Sequence, residues 1–282
     1  MGLFVETRDT ATIKNFTIEN SYFESTYANG LAAVSGRGGG NFEKIHVSSN
    51  VYLKNRINGS IGAIVGIATK ETHVENCWSE ANITSAGQGV AGILGNGNAQ
   101  TVTIKHCLYT GMITRSFVGL EEALKLYDYA SYPSYYKNTS TAAGYFGGII
   151  GRTGGSKNGA YTGNFVIEDC VHVGTLTSER EDDANGGIAG HTTGLDKDGK
   201  ATVTIKNAYC TQASCAKVVG SQNSKTNVTN CTLLGDSKLV DVNAFYNTAL
   251  DFKDYWSARK NTIPMLTRFL TATDETIDVS GL

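Results

Sequence analysis

A short apolar string closed by glycine recurs along this chain, and its spacing restricts the possible architecture more than any other feature. It reads Gly62-Ala63-Ile64-Val65-Gly66, Ala91-Gly92-Ile93-Leu94-Gly95, Gly147-Gly148-Ile149-Ile150-Gly151 and Gly186-Gly187-Ile188-Ala189-Gly190. Looser copies stand at Ala32-Ala33-Val34-Ser35-Gly36 and Lys217-Val218-Val219-Gly220. The closing glycines at 36, 66, 95, 151, 190 and 220 are separated by 30, 29, 56, 39 and 30 residues. A near-constant period broken by two insertions is the mark of a stacked repeat.

A second string precedes each of these. Its copies are Ile18-Glu19-Asn20-Ser21, Phe42-Glu43-Lys44-Ile45, Val74-Glu75-Asn76-Cys77, Ile104-Lys105-His106-Cys107, Ile167-Glu168-Asp169-Cys170, Ile205-Lys206-Asn207-Ala208 and Val228-Thr229-Asn230-Cys231. Inward residues three apart fit neither a strand nor a sustained helix. They fit two strands meeting at a corner, where Asn or Asp accepts the left-handed backbone that the turn needs. A third string lies between the two, at Ala81-Asn82-Ile83-Thr84, Gly111-Met112-Ile113-Thr114 and Gly174-Thr175-Leu176-Thr177. Three short strands per period describe one coil of a three-sided solenoid, in which each strand finds its partners above and below. The expected fold is therefore all-β, a right-handed parallel β-helix of about seven coils.

The cysteines obey the same register. Cys77, Cys107, Cys170 and Cys231 occupy one column with Ser21, Ile45 and Ala208, which reads as an interior file of thiols acting as small apolar residues. No CxxC pair or Cys/His cluster at zinc spacing is present. Cys210 and Cys215 are close enough in sequence to bridge or to stay reduced, and the spacing does not choose between them.

These strings resemble the GLUG-type repeat family, whose T-I-K-N-x-x-I-x-N strand and G-G-I-x-G strand are matched by Thr12-Ile13-Lys14-Asn15 through Asn20 and by Gly147 to Gly151 or Gly186 to Gly190. The resemblance covers roughly residues 1 to 235; Ala33 and Lys217 depart from it where glycine is usual. It implies a pectate-lyase-like β-helix in a large secreted or surface-exposed bacterial protein, of the kind found upstream of IgA-protease-type metallopeptidase domains. Being defined by a repeat, the family implies location more than mechanism. Gly2-Leu3-Phe4-Val5 aligns with the third strand of a coil, so the chain reads as part of a larger parent polypeptide with an added Met. The whole is expected to be one domain, with coils over 1–235 and an aromatic segment, 236–282, capping the C-terminal end of the stack.

Composition excludes some functions. A formal net charge of −2 offers no basic surface for nucleic acid, and no apolar run is long enough to insert in a membrane as a helix. Glycine at 33 residues would suit a flexible linker, but 40% hydrophobic content supplies a core that a linker lacks.

The widest period, from Gly95 to Gly151, contains about 25 extra residues over 115–139 in the fourth coil. Leu120-Glu121-Glu122-Ala123-Leu124-Lys125-Leu126 reads as a short amphipathic helix, followed by Tyr127, Tyr129, Tyr132, Tyr135 and Tyr136. Rings with a polar tip suit a sugar or a protein partner, and equally suit packing the excursion onto the coil below. Asp196 and Asp198, with Glu181, Asp182 and Asp183 in another turn of that coil, are oxygen donors of the type that hold structural calcium, although the full calcium-loop pattern is missing. Glu19, Glu43 and Glu75 share one outward column, where adjacent coils would set two carboxylates near the separation used by retaining glycosidases. No other cofactor is implied. The function expected is a non-catalytic extracellular or cell-surface module, stalk-like or adhesive, that binds glycan or a host surface protein. The rival is a carbohydrate-active enzyme, a polysaccharide lyase or glycoside hydrolase, on the same scaffold.

Overall fold

The computed structural model describes residues 1–26, 29–57, 59–98, 101–118, 120–125, 143–154, 163–181, 183–192, 202–211, 216–222, 225–234, 249–260 and 262–279. It is a parallel β-helix. One column of Cα partners, Phe4, Ser35, Val65, Leu94, Ile150, Ala189 and Val219, runs unbroken through seven coils. The strands fall into three parallel sheets, one of 17 strands and two of 5. In the second sheet Tyr52, Asn82, Met112 and Thr175 stand in register, and in the third Ile61, Val90, Phe146 and Asn185 do so. Among the described residues the sixth and seventh coils add only to the long sheet.

The corner of the long sheet explains the second string. Asn15, Lys44, Asn76, His106, Asp169, Asn207 and Asn230 all have φ between 49° and 65°. Asn and Asp take this left-handed conformation most easily among residues with a Cβ. Its reward is a continuous backbone ladder around the bend: Asn76, His106, Asp169 and Asn207 each donate N–H to a carbonyl on the next coil at 3.1 Å. The first coil follows a different register from the one its sequence suggests. Ile13-Lys14-Asn15-Phe16, not Ile18-Glu19-Asn20-Ser21, lies beside Phe42-Glu43-Lys44-Ile45. Ser21 instead pairs with Val51 in the second sheet. Both strings carry an apolar residue, a charge and Asn five positions apart, so either could occupy the corner by composition alone.

Inside the coils, residues of successive turns stack into apolar files such as Ile13, Phe42, Val74, Ile104, Ile167, Ile205 and Val228. The neighbouring file holds Cys77, Cys107 and Cys170, all with no exposed surface. Each thiol donates to a main-chain carbonyl on the preceding coil, at 3.6 Å for Cys77, 3.8 Å for Cys107 and 3.7 Å for Cys170. Cys231, at the end of the stack and partly exposed, repeats the contact at 3.6 Å. Burial, together with the adjacent Cys170 and Cys77, holds the Cys107 thiol well above the usual thiol range. Such thiols are packing residues, not nucleophiles. Cys215 lies outside the described residues.

Glycine in the closing string has a steric cause at two positions. A Cβ on Gly92 would collide with the ring of Tyr109, and one on Gly148 with the imidazole of His172. Large side chains from the long sheet thus fill space that the glycines of the sharp bend leave open.

The C-terminal segment takes a course that composition does not disclose. Its described part, 249–279, forms a three-stranded antiparallel sheet with Trp256–Arg259 between Met265–Leu266 and Thr276–Ile277. Leu250, Trp256, Met265 and Leu266 pack on Leu108, Val171, Tyr209 and Leu234, forming a second core outside the coils. Ala249 N–H meets the Tyr209 hydroxyl at 2.7 Å, and Arg268 reaches Asn15 in the first coil at 3.0 Å. The described residues form a lateral strap along the flank, and 235–248 lie outside the described residues. The physical reason is the outward file Trp78, Leu108, Val171 and Tyr209, an apolar stripe on the flank that must be covered.

Candidate recognition cleft

Beside the left-handed corner, the outward side chains of the long sheet form a charged ladder. Its register is Lys14, Glu43, Glu75, Lys105, Glu168, Lys206 and Thr229. Lys14, not Glu19, therefore continues the Glu43 and Glu75 column. Toward the seventh coil the ladder is internally paired: Glu168 meets Lys105 at 2.9 Å and Lys206 at 2.8 Å. Hydrogen bonds from Lys206 and then Lys105 hold the Glu168 carboxyl below its ordinary range. Both lysines reach into solvent, so these pairs are screened by water and salt and add little to the stability of the fold. Toward the first coil the pattern changes, because Glu43 and Glu75 are adjacent with no cation between them.

There the strap closes over the ladder and leaves a cleft of about 370 Å³, lined by Glu43, Lys44, Glu75, Asn76, Asp254 and Tyr255. Tyr255 is held flat against His106, with ring centroids 3.4 Å apart and planes within 4°. Burial first, then the nearby charge of Glu75, raises the pKa of its phenol. His106 in turn lies between two carboxylates, with Nδ1 3.4 Å from Glu75 and Nε2 3.4 Å from Asp169. Asn76 Oδ1, His106 Nδ1 and Asp169 Oδ1 are buried without a hydrogen-bond partner. The cleft is thus net acidic and carries one aromatic face. Those properties favour a ligand bearing hydroxyl or ammonium donors and disfavour polyanions.

No protein-family model matches this chain, and no curated protein or solved structure does.

The residues singled out from sequence are distributed unevenly. Tyr127, Tyr129, Tyr132, Tyr135 and Tyr136 lie outside the described residues, as do Asp196 and Asp198. The helix that leads into the tyrosines spans Leu120–Lys125, and Leu120 and Ala123 pack on Ile57. Among the described residues no three His, Cys, Asp or Glu side chains form a group able to hold a metal. Asp183 has another role. It is buried, ion-paired with Arg115, hydrogen-bonded by Ser178, and accepts the Gly144 N–H at 2.7 Å. Arg115 is the last strand residue before the long insertion and Gly144 stands just after it, so Asp183 clasps the neck of that excursion.

The residues that sequence reasoning missed are His106, Asp169, Asp254 and Tyr255. His106 and Asp169 carried a visible signal, since they replace Asn in the corner file. Asp254 and Tyr255 carried none, because only the folded strap brings them to coils some 180 residues earlier.

Proposed function

We propose that this chain is a non-catalytic module of an extracellular bacterial surface protein, a rigid stalk of GLUG-type repeats with lateral recognition surfaces for glycan or host protein. The supporting observation is the strap. By tying the Tyr209 hydroxyl in the sixth coil to Asn15 in the first, it braces the stack lengthwise, as a load-bearing spacer requires. Its apolar side chains also cover the apolar flank formed by Leu108, Val171 and Tyr209. The tyrosine-rich segment is the proposed contact surface, and the Arg115–Asp183 clasp would give it a fixed base. The test is binding of the intact chain to a glycan array and to host-cell surfaces, with Tyr132, Tyr135 and Tyr136 replaced by Ala. Loss of at least tenfold in affinity with unchanged circular dichroism supports the reading; a partner that binds the triple variant equally well refutes the assignment.

A second reading is favoured by one specific observation. Glu43 and Glu75 are direct strand partners at the open cleft, and adjacent strands bring such carboxylates to about 5 Å, near the retaining-glycosidase separation. Incubation with pectins, mucin glycans and glycosaminoglycans, followed by assay for reducing ends and unsaturated products, decides between the two. Turnover that disappears in Glu75→Gln establishes the enzyme; no product from any of these classes supports the stalk.

A further inference from the structure

Arg152 is a buried cation for which the described residues provide no anion. It lies in the fifth coil one residue after Gly151, with 9% of its surface exposed. Its guanidinium carbon stands 5.2 Å from the centre of the Tyr145 ring, and Tyr145 is stacked on His191 at 4.3 Å. Asn96 and His191 are its strand partners on the two neighbouring coils. No described Asp or Glu lies within ion-pair distance of it, Arg152 Nε has no hydrogen-bond acceptor, and Asn96 Oδ1 has no donor. Burial lowers the Arg152 pKa, opposed by the Tyr145 hydroxyl.

A guanidinium taken out of water without a counter-ion is costly, and stacking on one ring offsets only part of that cost. The planar N–H fork matches a two-oxygen anion. Tyr145 and His191 stack on each other beside it and are both only partly buried, so the outer surface of that stack offers ring area of the kind a pyranose covers. We infer that Arg152, Tyr145, His191 and Asn96 form a subsite for an acidic sugar, with the sugar's carboxylate or sulfate on Arg152 and its ring against the aromatic pair. The site is separate from the acidic cleft, where such a sugar would be repelled, and stands whether or not the tyrosine-rich segment binds a partner. It has a structural link to that segment, since Tyr145 begins the strand on which the long insertion returns to the coil.

The experiment uses the intact chain, with thermal shift and calorimetric titration against glucuronate, the O-sulfate ester of N-acetylglucosamine, glucose and inorganic sulfate. Both acidic sugars are expected to bind and raise Tm, and glucose is not. Arg152→Lys, which keeps charge but loses the fork, should weaken them at least tenfold. Arg152→Met should abolish the response while leaving the ligand-free Tm equal or higher, because a buried charge with no anion among the described residues has been removed. If Arg152→Met instead lowers the ligand-free Tm by several degrees, the guanidinium is paired within the chain and the site is refuted. Absence of any shift in the parent chain refutes it as well, and so does undiminished binding by the Met variant. Inorganic sulfate binding as tightly as the sugars overturns the assignment to a sugar.

Discussion

The phenol ring of Tyr255 lies 3.4 Å from the imidazole of His106 and within 4° of parallel, joining the C-terminal strap to the fourth coil. This contact sits midway along the strap, between Tyr209 in the sixth coil and Asn15 in the first. It is also the wall of the acidic cleft. One stacked pair therefore serves both the stiffness of the module and the shape of its candidate site.

Tyr255→Ala should loosen the strap while the coils persist. The loss combines an aromatic stack with buried ring area, about 1–3 kcal/mol. Hydrogen exchange is the measure: amides of Trp256–Arg259 should lose protection, and those of the Ile104 and Ile167 strands should keep theirs. Uniform loss over both regions would show that strap and coils unfold as one unit.

The neck of the insertion gives a sharper test. The Arg115 and Asp183 side chains are both completely buried, so removing either one takes this ion-pair partner from a charge shut away from water. Asp183→Ala should cost about 3–5 kcal/mol, and pairing it with Arg115→Met should recover most of that loss. Denaturant melts of the two single variants and the double variant measure the coupling. Additive losses would mean that the clasp is not an ion pair.

Gly148→Ala should cost about 1–3 kcal/mol or more, because the new methyl group meets the His172 ring in a filled core. The same change in a His172→Ala background should be milder, because the imidazole that the methyl group meets has been removed. Equal losses of Tm in the two backgrounds would refute the packing argument.

Acid should destabilise the protein through His172. Burial lowers its pKa from 6.5 to about 4, partly opposed by its hydrogen bond to the Gly187 carbonyl. The folded state then binds fewer protons than the unfolded chain between these values. Stability from this residue is complete above pH 6.5, falls as pH drops toward about 4, and levels off below it. The total is on the order of 3 kcal/mol. His172→Gln should flatten the fall in unfolding free energy over that window; an unchanged pH profile would place the effect elsewhere.

The coils were legible because the features that build them repeat. Each closing glycine and each corner Asn answers a local constraint, bend or left-handed backbone, that recurs every coil. The exception is the first coil, where Asn15 and Asn20 both satisfy the local rule and only pairing with Phe42 and Val51 separates them. The strap was half legible. Phe252, Tyr255 and Trp256 announced an apolar surface in need of a partner, but their partners Leu108, Val171 and Tyr209 alternate outward on a sheet whose outer face is not marked in sequence. The cleft was half legible: the period set Glu43 beside Glu75 on one outward column, but Asp254 and Tyr255 join them only once the strap path is fixed.

The stacking itself is tested most directly by cross-linking. Thr84 and Thr114 are strand partners on adjacent coils, as are Lys54 and Thr84, whereas Lys54 and Thr114 are two coils apart. Adjacent coils set Cα atoms about 4.8 Å apart and alternate coils about twice that, beyond disulfide reach. Mild oxidation of the Thr84→Cys/Thr114→Cys chain should give an intramolecular disulfide, mapped by mass spectrometry, while Lys54→Cys/Thr114→Cys should give none. A bridge in the second variant and none in the first would contradict the account.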